Sequence, residues 1–382
     1  MQKPQPLNVA KPVKLIFAGG FLGSGKTTAL GVLARDIIRK GMRVGIVTND
    51  QSGNLADTVI VRQMLVELNV PVEEVVEGCF CCKFDDLIHQ IEKILVHEPD
   101  ILLGEPVGSC TDFVAAVAHP IKIHYRDAFT FAPFSTMVDP DRVRELLLKE
   151  IESTFPEEVA YLFEKQLEEA DLIVLNKCDL LKSTEKDRLV KALRDRFPAK
   201  KVVVTSALQG DGMQAWLETL LSGRPGADTV LRQIDYDRYA QAEAILGWLN
   251  AAVKVRSKAT YAPGNLMRGL LLEIRDALRQ RNAGIGHLKL VLTSGGISTW
   301  ASITDLRSEP RLSQPSAEIA SGGTLLVNAR VKLEPADLET VVRDALADAA
   351  ESFAVQFDIV DLQCFSPAYP NPPYRPQKDV GS

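Results

Sequence analysis

Cys79, Cys81 and Cys82 are the densest group of soft-metal ligands in this 382-residue chain, which has six cysteines. Thiolates bind soft or borderline cations such as Zn²⁺, Cu(I) or Co²⁺. With Gly78 easing the bend, the three sulfurs can face one ion. No second Cys-x-x-Cys lies nearby and His89 is the one close histidine, so the site would keep an open fourth position, which suits transfer of an ion. A permanent structural zinc, a redox-active thiol pair and ordinary buried cysteines are the other readings, and they stay open. His89 and His97 fall on an apparent helix after the cluster and read as solvated. Cys110, Cys178 and Cys364 read as isolated packing residues.

A second constellation is built for phosphate. Gly20-x-x-x-x-Gly25-Lys26-Thr27 follows a buried-strand pattern and precedes a helical one. The glycines let backbone N–H groups curl toward phosphate oxygens, and the helix N-terminus adds its positive end. Gly23, Ser24, Gly25, Lys26, Thr27 and Thr28 are the phosphate-positioning candidates, with Thr27 offering its hydroxyl to Mg²⁺. Acids stand at the carboxyl ends of two further strands. Asn49-Asp50-Gln51-Ser52-Gly53-Asn54 and then Asp57 follow one; Glu105-Pro106-Val107-Gly108 follows the other. Asp50 and Glu105 are the expected Mg²⁺ carboxylates, since Mg²⁺ takes hard oxygens and keeps several waters. Gly108 would give a backbone N–H to a γ-phosphate. Lys26, Thr27 and Glu105 form the candidate catalytic set.

Asn176-Lys177-Cys178-Asp179 closes another strand. Guanine presents two adjacent donors, which one carboxylate accepts and adenine cannot satisfy. Asp179 suits that role, with Asn176 at the opposite edge of the base and Lys177 the third residue expected to read guanine. Ser206-Ala207-Leu208 resembles the loop whose backbone holds the guanine oxygen. GTP is therefore expected rather than ATP.

The elements that would position these groups alternate. Apolar runs at 13–18, 43–48, 100–104, 129–138, 171–175 and 201–205 are separated mostly by helical patterns. Thr184 and Asp187 offer a capping box for one of these helices. The pattern predicts an α/β fold: a P-loop NTPase parallel sheet with helices on both faces, over residues 12–222. After a linker at 222–229, residues 235–365 read as β-α-β-β-α-β, a smaller α+β, ferredoxin-like domain suited to client or partner recognition. The tail, 366–382, is too proline-rich for regular structure.

GGFLGSGKTT, GCFCC, EPVG, NKCD and SALQGDG, in that order, resemble the CobW-type P-loop GTPases, metallochaperones related to the nickel-inserting GTPases of urease and hydrogenase maturation. The resemblance spans roughly residues 12–222. It implies that Mg·GTP organises a transition-metal site at Cys79, Cys81 and Cys82, Zn²⁺ or Co²⁺ being the ion, and that hydrolysis releases it to a client metalloprotein or cofactor enzyme. A role in loading a corrinoid enzyme is the neighbouring possibility, and a homodimer is compatible with the class. Asn49-Asp50-Gln51-Ser52 stands where these proteins often carry Asn-Glu-Phe-Gly, and no His-rich tract is present among the five histidines.

Composition bounds the rest. Forty-four Lys and Arg against 50 Asp and Glu leave a net charge of −6, against general nucleic-acid binding. No apolar run has the length of a membrane span, and MQKPQPLNVAKP lacks an apolar leader core, so a cytoplasmic protein without membrane contact is expected.

Overall fold

The computed structural model describes residue 7 and residues 9–51, 56–223, 234–313 and 320–375. Most of the linker expected at 222–229 and the end of the tail, 376–382, lie outside the described residues.

The first half alternates as its apolar runs predict. Strand β1 (Val13–Gly19) passes through the glycine loop into α1 (Lys26–Arg39), which stops at Gly41 with φ +79°. Strand β2 (Val44–Asn49), α2 (Ala56–Met64), β3 (Val72–Val75), α3 (Phe84–Leu95) and β4 (Ile101–Glu105) follow. After α4 (His119–His124), the run at 129–138 divides into β5 (Phe129–Phe131) and β6 (Ser135–Val138), because Pro133 between them has no N–H to donate. The series ends with α5 (Pro140–Arg142), α6 (Glu157–Glu169), β7 (Leu172–Leu175), α7 (Ser183–Arg196), β8 (Lys201–Val204) and α8 (Met213–Ser222). The capping box expected at Thr184 does not form: α7 starts one residue earlier, and Lys182 at its cap makes no side-chain bond.

These strands form one parallel sheet in the order β3-β2-β4-β1-β6-β7-β8, with β5 pairing β1. Strands buried on both faces explain the unbroken apolar runs. One apolar layer takes Leu30, Leu33 and Trp216; the opposite layer takes Phe17, Phe80, Phe113 and the cysteines of the cluster.

Helix α9 (Tyr236–Ala244), not foreseen as an element, packs on α6 and adds Tyr239 and Ala242 to the first apolar core. Beyond it, β9 (Gly247–Tyr261), α10 (Pro263–Gln280), β10 (Ile285–Ser294), β11 (Ile297–Ile303), β12 (Arg311–Leu312), β13 (Ala320–Val331), α11 (Pro335–Ser352) and β14 (Val355–Phe365) build a second, antiparallel sheet. Its order is β12-β11-β10-β13-β9-β14, the expected β-α-β-β-α-β pattern extended at one edge by β11 and β12. Gly295 and Gly296, both at positive φ, make the two-residue turn into β11, a hairpin signal present in the sequence.

Alternation along β10 decides how the halves meet. Leu288, Leu290 and Leu292 face α10 and α11, while His287, Lys289 and Val291 point the other way, toward the first domain. That second face lies on α2, where Ala56 and Ile60 meet Val291. Among the described residues no helix is long and apolar enough to cross a membrane.

Candidate functional site

The glycine loop opens onto a cleft between the carboxyl end of the parallel sheet and the inner face of the antiparallel one. Gly25 takes φ +92° just before α1, and a Cβ there would stand 2.5 Å from Asn176 Nδ2, so only glycine fits. The Lys26 ammonium is buried and donates to the carbonyls of Gly20 (2.7 Å) and Phe21 (3.2 Å). Burial brings its pKa down to about 8 against the opposing pull of Glu105.

The Thr27 hydroxyl lies 2.8 Å from Asp57 Oδ1 and 2.9 Å from Glu105 Oε1. Glu105 is buried, and its Oε2 has no hydrogen-bond partner. Burial, with the Asp57 charge beside it, pushes Glu105 up to about 7. Burial alone would raise Asp57 as well, but the Lys289 ammonium, paired with it from β10, holds it well below the usual carboxylate range.

Asp50, the other expected carboxylate, stands apart from this group. Both its oxygens accept from the Arg330 guanidinium, at 2.7 and 2.9 Å, and Asn328 adds a bond at 3.2 Å. A buried guanidinium from β13, whose Nη2 donates to both oxygens, outcompetes a threonine hydroxyl for the carboxylate, so Asp57 rather than Asp50 joins Glu105 at Thr27.

At the far end of the cleft, Asn176 acts as a strut. Its amide donates to the Ser24 carbonyl (2.9 Å) and accepts from Ala207 N (2.9 Å) and Thr205 Oγ1 (3.1 Å), tying the glycine loop to the 205–208 segment. Lys177, at φ +59°, pairs with Asp139. Asp179 accepts from the Ser206 hydroxyl at 2.6 Å, and Asp179, Ala207 and Leu208 line the cleft. Gly23, Thr28 and Gly108 line it too, and the Ser24 hydroxyl is buried without a partner.

The cysteines occupy a separate, apolar pocket on the same sheet. Cys82 N and Lys83 N both donate to the Cys79 carbonyl, a turn that puts Cys79, Cys81 and Cys82 on its inner side, their sulfurs all within 4.8 Å of one another. Asn49, the last residue of β2, clamps this turn: it accepts from Phe80 N (2.9 Å) and donates to Val75 O (3.0 Å) and Gly78 O (2.7 Å). Cys110 is not the isolated residue expected. It is buried with Sγ 3.9 Å from Cys81 Sγ, because the chain after β4 turns back over the cluster. Donation by Cys110, Cys81 and Cys82 holds Cys79 well below the ordinary thiol range. His89 and His97 are both exposed as expected, though His97 lies beyond the end of α3.

Residues from far along the chain close this pocket. Glu243 of α9 is buried, accepts from Ser109, and is pushed up to about 8 by burial and the neighbouring Cys79. Asp112 accepts from Tyr236 (2.8 Å) and pairs with Arg375. The Tyr374 ring packs 4.6 Å from Phe84. The described part of the tail thus has no helix or strand but is tethered over the cysteine face.

A family model described as "CobW/HypB/UreG, nucleotide-binding domain" matches residues 14–204, half of the chain. Two proteins named "Zinc chaperone CobW" are similar. That of Pseudomonas aeruginosa is 27% identical over 58% of this chain and 65% of its own length; that of a Sinorhizobium species is 30% identical over 47% and 54%. A protein of Schizosaccharomyces pombe named "Zinc-regulated GTPase metalloprotein activator 1" is 27% identical over 45% of this chain and 40% of its own. The chain therefore spans less than two thirds of the length of these curated relatives.

Proposed function

The chain belongs to the CobW/HypB/UreG family of nucleotide-binding proteins, and from that premise we propose that it hydrolyses GTP and uses the cycle to hold and hand over a transition metal, with zinc as the cargo. The relatives named as zinc chaperones favour Zn²⁺ over Co²⁺. The observation that carries the reading is that the chain at and just beyond the ends of β2 and β4 reaches both sites. Asn49, the end of β2, clamps the cysteine turn, while Asp57 of α2, the next element, meets Thr27. Glu105 meets Thr27 while Cys110, five residues on, meets Cys81.

Lys26 and the N-terminal N–H groups of α1 would bind and orient the β- and γ-phosphates. Thr27, Asp57 and Glu105 form an all-oxygen donor set, and the partnerless Glu105 Oε2 leaves an acceptor free, so the residues fit Mg²⁺. Mg²⁺, when bound there, supplies charge neutralisation on the phosphoryl oxygens. Asp179 would accept the two guanine donors, and Ala207 and Leu208 would flank the base. The second domain's sheet closes the cleft, with Lys289 adding positive charge beside Asp57. Six free cysteines suit the reducing cytoplasm, and a metalloprotein client is the recipient.

The test is zinc titration against a competing chelator, with a non-hydrolysable GTP analogue, with GDP and without nucleotide. Affinity should be highest with the analogue, and hydrolysis should pass zinc to the chelator. Equal affinity in all three states would sink the proposal.

A further inference from the structure

We infer that Cys110 is a fourth sulfur ligand for the ion held by Cys79, Cys81 and Cys82, so that the cargo site alternates between four and three thiolates; this rests on the metal-binding reading of the trio. The first ground is distance. A zinc ion with four thiolates at about 2.3 Å has sulfurs separated by about 3.8 Å along each edge of the tetrahedron. Cys81 Sγ stands 3.9 Å from Cys110 Sγ and 4.0 Å from Cys82 Sγ, while Cys79 Sγ, 2.7 Å from Cys81 Sγ, draws back by about 1 Å when an ion enters between them.

The second ground is how the thiol is held. Cys110 N donates to Val107 O at 2.9 Å, a tight turn. From α6, Gln166 Nε2 donates to both Gly108 O (2.9 Å) and Cys110 O (3.0 Å). The neighbouring Ser109 hydroxyl is taken by Glu243. These four bonds fix the backbone on both sides of Cys110 and hold its side chain at the cluster. A residue present only to fill space needs no such hold.

The third ground is where its segment begins. Residues 105–110 run from a carboxylate on Thr27 to a sulfur beside Cys81. Gly108, between them, lines the nucleotide cleft. Any movement of Gly108 with the state of a γ-phosphate moves Cys110 relative to a cysteine turn that Asn49 clamps separately. Nucleotide state would then set whether the fourth ligand is in place. Trapping needs four ligands and transfer needs an opening, and a ligand that follows the nucleotide state supplies both. Each protonated thiol gives its proton to solvent as its sulfur–metal bond forms, and no electron is transferred.

Co²⁺ titration of the full chain under reducing, anaerobic conditions tests this, with the thiolate-to-cobalt charge-transfer band as the readout. Cys110→Ser should lose about a quarter of that band's intensity and bind zinc about 10-fold more weakly or worse. Retained binding of a fluorescent GDP analogue would show that the variant is folded. Zinc-edge X-ray absorption on the wild-type chain is independent of any variant and should show four sulfurs at about 2.3 Å. A Cys110→Ser band and affinity equal to wild type, with Cys81→Ser losing both, would overturn the fourth ligand and leave the trio intact. Three sulfurs with one lighter atom in the GTP-analogue state would overturn it as well. A wild-type chain that gave no charge-transfer band would remove the metal site altogether, and this inference with it.

Discussion

The nucleotide cleft and the cysteine pocket grow from the ends of the same strands, β2 and β4, yet they are built from opposite materials. The cleft is a set of charges: Lys26, Asp57, Glu105 and Lys289 lie together, and Asp50 pairs with Arg330 nearby. The pocket is sulfur set among Phe80, Phe84 and Phe113, with a carboxyl, Glu243, that burial keeps protonated to about pH 8. A highly charged ligand needs fixed dipoles and counter-charges that exist before it arrives. A soft cation needs thiolates that can be brought together and parted. One sheet serves both because each strand end carries a polar residue for one side and a turn for the other.

Separate perturbations should break that comparison or sharpen it. The largest effect belongs to Arg330→Ala, which leaves Asp50 buried without its partner. Unfolding in urea should register a loss of roughly 3–5 kcal/mol. A loss under 1 kcal/mol would mean that the pair between the domains does not hold the cleft together. Lys26→Ala comes next and should cut GTP turnover by about 10²–10³-fold, while zinc affinity of the nucleotide-free chain stays at the wild-type value. If zinc affinity fell in parallel, the two regions would not be separable.

Asn49→Ala removes three bonds to the cysteine turn and should cost about 1–3 kcal/mol locally. Calorimetry should find weakened zinc binding with GDP affinity preserved, and the reverse pattern would place Asn49 on the wrong side of the comparison. The remaining test is pH dependence. Glu169, buried behind the cysteine pocket, is pushed up to about 8 by burial and by Asp112. The folded chain therefore binds a proton that the unfolded chain has released, and stability declines as pH rises from about 4.5 to about 8. Asp57 works in the opposite sense: its contribution is present above about pH 3.8 and fades as pH falls below that. Thermal midpoints of the metal-free chain across pH 5–8 should fall, and Glu169→Gln should flatten the slope. An unchanged slope would show that Glu169 does not hold its proton.

Much of this was legible in order along the chain. The glycine loop, the cysteine triplet and the Asn-Lys-Cys-Asp strand end were recognisable because each needs its residues within a few positions. The strand and helix alternation was legible because burial on both faces leaves continuous apolar runs. Proline 133 could have announced the break between β5 and β6, and Gly295-Gly296 the hairpin into β11. Asp57 against Asp50 was not decidable from spacing: both follow β2, and the choice depends on Arg330, 280 positions away from Asp50. Cys110 was invisible for the same reason, since 29 positions separate it from Cys81 and no short motif joins them.

By itself, then, the sequence determined the local chemistry: a backbone that cradles phosphate, thiols that can share an ion, and a carboxylate suited to guanine. It also determined the two sheets, through the periodicity of their strands. Only the tertiary structure decided which carboxylates meet Thr27, that β10 and β13 turn a charged face into the cleft, and that a fourth thiol, Cys110, lies beside Cys81. The physical reason is that hydrogen bonds, ion pairs and metal ligation act over a few ångströms in space, and a buried charge takes whichever partner the packing of distant segments brings to it.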